Sequence, residues 1–537
     1  MKRILSAILA VFILFSLPAC QNKKPDNSDK TIHYFLGSEP LTLDPQAASD
    51  SAALTAIGAI YEGLARLDSS GAAIPGVAES WSASGGNTVF TFTLRSDAKW
   101  SDDAGTPVTA QDFVFGFRRA LSPSTHSALC RPMFCIKNAE KVNSGELPPS
   151  QLGVTAKDDH TLVVELNYSY ENFPALTATA PFMPCNEKFF NGTYGKYGLE
   201  YQYILSNGPF VINGKYGWEH NKELKLARSD SYRGGEKPLP AMLDFSMDSE
   251  ETNVSDPVAA LTNSTVDAIS IPESLVDKAK KAELSVTSYQ NITWGICFNT
   301  SDEVMKNLNL RRGLLTSLPR DTLLSYLPEK AQAADNIIGP QTKLMGKSYR
   351  ELAGGSIPYQ KEIGSSGALL QAGLKELGKT GFPAVTVLCP DDENAKRMVN
   401  EMLAVWNQKT GSYFSMEPLA PDELAKRVTE GRYQIALYGI SPGQDGALLS
   451  LFLSDNNKNP AHLKSDEFDG LIQKAEQSGE KEAAANYAKA ERYLNDKCVF
   501  YPVYYKNSYF ACAKGVTGIV FRPDSAQVDF LHAGKLS

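Results

Sequence analysis

Five residues late in the chain, Gly439-Ile440-Ser441-Pro442-Gly443, fit G-x-S-x-G, the spacing that lifts a nucleophilic serine on a sharp turn between a strand and a helix. The flanks suit that reading: apolar YQIALYGI precedes the turn, and ALLSLFL, read as a helix, follows it. The chemistry fails at the next residue. The residue after such a serine donates its backbone N–H to the oxyanion, and Pro442 has none to give. Only His462 and His532 lie downstream to act as a base. Acyl transfer through Ser441 is therefore the remote alternative, and catalysis is not expected.

Other chemical signals are weaker. Gly346-Lys347-Ser348 has the end of a phosphate loop, but Gln341 stands where its first glycine belongs. The 6 histidines are dispersed without paired spacing, so neither a metal nor any other cofactor is expected. Trp294, in ITWGICFN, reads equally well as core and as pocket lining. The aromatic run FYPVYYKNSYF (500–510) reads as alternating strand residues, chiefly in the core.

The elements that must carry these residues follow from periodicity. TVFTFTLR and TLVVEL (161–166) alternate with period two, as half-buried strands do. Later the rhythm changes to strand VTVLC, a helix with Ala395, Met398, Val399, Met402, Leu403 and Trp406 on one face, strand YFSMEP, helix PDELAKRVTE and strand YQIALYGI. That alternation predicts parallel pairing through right-handed crossovers. A β-rich early lobe and an α/β late lobe imply a cleft between them, where ligand sites tend to lie.

Length and composition agree. The 537 residues allow two or three domains. With 42% hydrophobic and 21% charged residues the chain is ordinary globular material, and its formal charge of -8 argues against a nucleic-acid partner. Lys2 and Arg3 followed by apolar Ile4 to Pro18 have the layout of a secretory signal. LPAC, ending at Cys20, resembles a bacterial lipoprotein lipobox, which implies lipidation of Cys20 and a membrane anchor. Polar residues 21–31 then form a tether. The seven remaining cysteines have no C-x-x-C spacing; an odd count leaves at least one unpaired, and buried inert thiols are expected for most.

EPLTLDPQ, IYEGL, PGVAESW, FTFTLRSDAKWSDD and TPVTAQDFVFGFRRALSP occur in one order between residues 39 and 123. DDHTLVVEL, NGPFVI, LRRGLLTSLPRD, AHLKSDEFDGLIQKAE and YPVYY follow. This series strongly resembles the oligopeptide-binding proteins of bacterial ABC importers, a solute-binding family that includes dipeptide and nickel binders. The resemblance implies a two-lobed α/β periplasmic-binding-protein fold with an extra inserted domain and a hinged interlobe cleft. Its implied divisions are a signal peptide (1–20), the tether, a first lobe (32–63, 196–295 and 509–537) with a small domain inserted at 64–195, and a second lobe (296–508).

It implies a monomer in the cell envelope that captures short peptides by backbone pairing and delivers them to permease subunits. Carried onto this chain, the pairing segments fall at Ser49-Asp50-Ser51 and from Ile440 through Ser441 to Gly443, with Trp294 as a further candidate. Oligopeptide binders place an aspartate in the second segment for the peptide's amino terminus. Here that position is Gly443, and the nearest carboxylate is Asp445. A buried ammonium needs an acceptor. Either Asp445 substitutes, or Asp50 reaches in, or the ligand is a murein-type peptide or another solute such as a metal complex, without a free amine.

Overall fold

The computed structural model describes residues 31–248, 254–358, 364–443, 447–522 and 527–535. The signal region, Cys20 and Asp445 lie outside them. The first strand already begins at Thr31, the last residue assigned above to the tether.

One large mixed sheet runs through the molecule. Its centre is an antiparallel pair of long strands, Ser285–Phe298 and Phe500–Cys512. Ser285 to Gln290 and the far end of the second strand lie on one side of the molecule, where Ala268–Ile271 pairs with Tyr509 to Cys512. Beyond it come Thr31–Gly37, Met242–Met247, Glu223–Arg228 and Phe210–Ile212. Thr293 to Phe298 instead pair with Ile435–Ile440, which leads to the parallel strands Val385–Pro390 and Phe414–Leu419. Between these halves the register slips, from Gln290 to Ile292 and again from Trp294 to Gly295. Bulges bend a ladder and loosen its pairing, so two lobes share one sheet through a built-in flexure.

The strand–helix alternation predicted for residues 385–440 is observed. The helix Glu393–Thr410 buries Ala395, Met398, Val399, Met402, Leu403 and Trp406, with Asp392 capping its N-terminus and Gly411 its C-terminus. Val89–Leu94 and Thr161–Glu165 pair as two strands of a separate four-stranded sheet flanked by Ala78–Ser84 and Val154–Asp158. Two expectations need correction. The run Phe500 to Tyr505 is buried throughout and alternates only from Ser508 onward, because the strand lies mid-sheet with apolar layers on both faces. And ALLSLFL forms no helix beyond the single 3-10 turn Ser450–Phe452. Leu449 sits at φ 59°, which breaks a helix, while Leu448, Leu449, Phe452 and Leu453 are all buried: tertiary packing, not helical periodicity, places them.

Segments distant in the chain meet around one buried carboxylate. Glu62, 2% exposed, accepts from Arg95 (2.9 Å) and Tyr232 (2.5 Å), and Arg66 bridges on to Asp529 (3.2 Å). Burial raises the Glu62 carboxyl, opposed by Arg66 and Arg95. All seven described cysteines are free thiols; six are buried, and burial pushes Cys130 up to about 11 and Cys389 to about 12.

Candidate functional site

A cleft of about 500 Å³ opens between the four-stranded sheet's domain and the far lobe. Leu54, the Ser69–Ala72 turn and residues between Ala175 and Pro181 line one side, and Thr342, Lys343, Gly346 and Gly443 the other, with Tyr289, Phe521, Arg522 and Gln527 at its base. The sites read from the sequence fall around it unequally. Gly443 is in the lining. Its φ of +120° belongs to glycine, and a Cβ there would lie 2.5 Å from the Ala447 carbonyl oxygen. Ser441 beside it is exposed, Pro442 is buried and accepts from the Leu449 N–H (2.6 Å), and Ile440 is core.

The backbone at this turn has unused pairing capacity. Ile435–Ile440 pairs along its whole length with Thr293 to Phe298, but its ladder to Val385–Pro390 is recorded only at Ile435 and Ala436. One edge of Leu437 to Ile440 thus runs unpaired among the described strands into Ser441–Gly443.

Ser49, Asp50 and Ser51 stand at the start of the helix Ser51–Ile60, whose next turn supplies Leu54 to the cleft. Both serines are exposed. Asp50 caps the helix, its Oδ1 accepting from the Ala53 N–H at 2.8 Å, while its Oδ2 is sealed from solvent with no hydrogen-bond partner. Loss of a cap costs roughly 1 kcal/mol; Asp50→Ala is expected to lower stability by that amount in urea unfolding, and Asp50→Asn, which keeps the accepting oxygen, to hold it.

Trp294 lies away from the lining. Its ring stacks on Tyr504 (centroids 6.0 Å apart, 2° between planes), covers Gly439 and carries the Lys506 ammonium at 5.6 Å. Its indole N–H is buried without a partner.

Two lining residues are charged among those described, Lys343 and Arg522, and both are bases. Arg522 is tied down, donating to the carbonyls of Leu67 (2.8 Å) and Asp68 (2.9 Å), and burial lowers its pKa. Lys343 is exposed. Neither was singled out from sequence, and nor was Tyr289. They come from segments far apart in the chain, and no local spacing marks them. Ser441 has no catalytic base nearby in the described contacts: His462 engages the Val428 carbonyl at 2.9 Å and His532 the Glu236 carboxylate at 3.1 Å. No cluster of potential metal ligands occurs among the described residues.

A two-lobed sheet with a cleft at its flexure is a ligand trap in outline, and the sequence profile of the bacterial extracellular solute-binding proteins, family 5, matches residues 72–460. The chain belongs to that family. Its members are substrate-binding proteins. The chain is 25% identical to the oligopeptide-binding protein OppA of Bacillus subtilis, over 98% of both chains. Among solved structures, the substrate-binding domain of an oligopeptide ABC transporter from Bacillus anthracis shares 27% identity with a TM-score of 0.74, covering 95% of this chain and 99% of that one.

The murein tripeptide-binding protein MppA of Escherichia coli adds a comparison of lobe positions. One structure of it superposes with a TM-score of 0.74 (23% identity; 94% of this chain, 99% of that one) and its unliganded open form with 0.60 (22% identity; 93% and 96%). The lobes of the present chain therefore stand nearer the former arrangement than the open one.

Proposed function

We propose that this family member captures short peptides in its interlobe cleft and passes them to the permease of an ABC importer. The observation that carries the reading is the unpaired edge leading into Ser441–Gly443, set at the cleft mouth by Gly443. An extended ligand backbone adds to such an edge as a further strand, which gives affinity without reading side chains, and water in the cleft accommodates varied side chains. Ser49, Asp50 and Ser51, on the facing helix start, are the second contact. The oligopeptide binders among the relatives support the ligand class, and the engaged histidines support a role without catalysis. Lipidation at Cys20, a periplasmic or other extracytoplasmic location and a monomeric state complete the reading. Trp294 contributes from behind, by fixing Gly439 and the approach to the turn.

The murein-peptide alternative has an observation of its own. No carboxylate lines the cleft among the described residues, so a ligand's ammonium would depend on Asp445 or on the spare oxygen of Asp50. Calorimetric titration of residues 21–537, freed of ligand by unfolding and refolding, against matched tetrapeptides with free and acetylated amino termini decides between them. Binding confined to the free amine, and weakened by Asp445→Asn, is the expected result for general peptide capture. Equal binding of the acetylated peptide points to murein-type ligands, and binding of neither removes the peptide reading.

A further inference from the structure

The two lobes touch at a second place, away from the cleft turn. Arg131, in the 3-10 helix Arg131–Cys135 beside the four-stranded sheet, reaches across to the helix Asp466–Glu476 and its preceding loop. Its guanidinium donates to Glu476 Oε2 at 3.1 Å and to Asp455 at 3.3 Å. From the same side, the Tyr168 hydroxyl donates to the Glu476 backbone carbonyl at 2.7 Å, and Glu140 accepts from Gln473 at 2.5 Å and from Gln477. The contact thus ties the domain of the four-stranded sheet to the helix Asp466–Glu476, and on the two-lobed reading it is a latch made when the lobes close.

Its chemistry is unusual at Glu476. This carboxylate ends a helix, where the backbone dipole disfavours negative charge. Its residue is 4% exposed, its Oε2 has Arg131, and its Oε1 is sealed from solvent with no partner. One cation faces three carboxylates, since Glu140 and Asp455 stand beside Glu476; the other facing titratable groups are the Cys130 thiol and the Tyr168 phenol. Asp455 is three-quarters exposed and its charge is screened by water, whereas Glu476 is not. The cheapest way to relieve a sealed, half-satisfied carboxylate is to protonate it.

We propose that closing of the two lobes takes up a proton at Glu476, so that the ligand is held more tightly in mildly acidic medium and released more readily above neutrality. In the latched state burial raises the Glu476 carboxyl to about 7, opposed by Arg131 and reinforced by Glu140 and Asp455. With the lobes apart the same group faces water and returns to the ordinary range near 4.3. The closed form therefore binds more protons between those values, and closure gains from falling pH throughout that window. Linkage gives about a tenfold change in the closing constant between pH 8 and pH 6.

This rests on the trap reading of the fold, and the test separates the two. Wild type, Glu476→Gln and Glu140→Gln are titrated with the free-amine tetrapeptide at pH 6, 7 and 8 at fixed ionic strength, and the radius of gyration of each ligand-free chain is measured by small-angle scattering. In wild type the affinity should rise about tenfold from pH 8 to pH 6. Glu476→Gln, which mimics the neutral acid, should bind at pH 8 as wild type does at pH 6, without the slope. Glu140→Gln, half-buried and expected to fold whatever becomes of the first variant, should move the slope to lower pH. A slope surviving in Glu476→Gln, or absent from wild type, overturns the proposal. Should no peptide bind, the ligand reading fails while the latch is still read from scattering: contraction of wild type alone on acidification supports it, and equal radii overturn it.

Discussion

Arg350→Ala is expected to lower the unfolding free energy by about 3–5 kcal/mol, the usual cost of stripping the partner from a buried charge. Glu491 is fully buried, and accepts from both terminal nitrogens of Arg350 (2.9 and 2.6 Å), from the Ile338 N–H (2.9 Å) and from the Tyr349 hydroxyl (3.3 Å). Arg350 also donates to the Ile338 carbonyl. The cluster therefore pins the loop that carries Thr342, Lys343 and Gly346 to the cleft, and Thr293 in the flexing strand holds the same loop through the Ile337 carbonyl at 2.8 Å. Urea unfolding should show a lower midpoint with the slope unchanged. The pair itself is not expected to be worth that much. Arg350→Met with Glu491→Met, which removes both charges, should recover most of the loss. If Arg350→Ala unfolds at the wild-type midpoint, the pair does not hold the loop.

The second large effect is on binding. Gly443→Ala is expected to weaken tetrapeptide affinity by about 5–150-fold, the equivalent of the 1–3 kcal/mol that a side chain costs in such a backbone conformation. The added methyl meets the Ala447 carbonyl, so the turn must shift away from its place at the cleft. Stability should change less than affinity, because the turn is exposed at Ser441 and can yield locally. Calorimetry on the variant with the free-amine peptide measures it; an affinity equal to wild type would take the turn out of the binding surface.

Much of the second lobe was legible because its strands are short and its helices amphipathic. Six residues assigned to one face of the helix Glu393–Thr410 are the six that it buries. Legibility failed where burial is complete. Phe500 to Tyr505 carries no alternation to read, since both faces of that strand are covered, and ALLSLFL imitates a helix because Leu448, Leu449, Phe452 and Leu453 are all inside. The site shows the same division. Gly443 was reachable because a turn is a local object. Arg522 was not, for its position depends on carbonyls of Leu67 and Asp68 more than 450 positions earlier. Nor could Glu476 be suspected from the sequence. It reads there as one more acid on a soluble helix, and only the packing of Arg131 and Tyr168 over it makes its charge matter.

The central position of Phe500–Cys512 has a consequence for the order of events when the chain is made. The first lobe's strand Ala268–Ile271 bonds to a strand 239 positions away, as between Ser270 and Tyr509. A chain emerging amino terminus first can pair Thr31–Gly37, Met242–Met247, Glu223–Arg228 and Phe210–Ile212 with one another, while Ala268–Ile271 and Ser285–Phe298 still lack their central neighbour. Contacts of such long sequence separation form slowly. The nascent sheet should therefore linger without its centre, its two halves unjoined, until nearly all of the chain has been synthesised. A sheet whose halves are not yet joined is the more easily unravelled for passage through a narrow translocation pore.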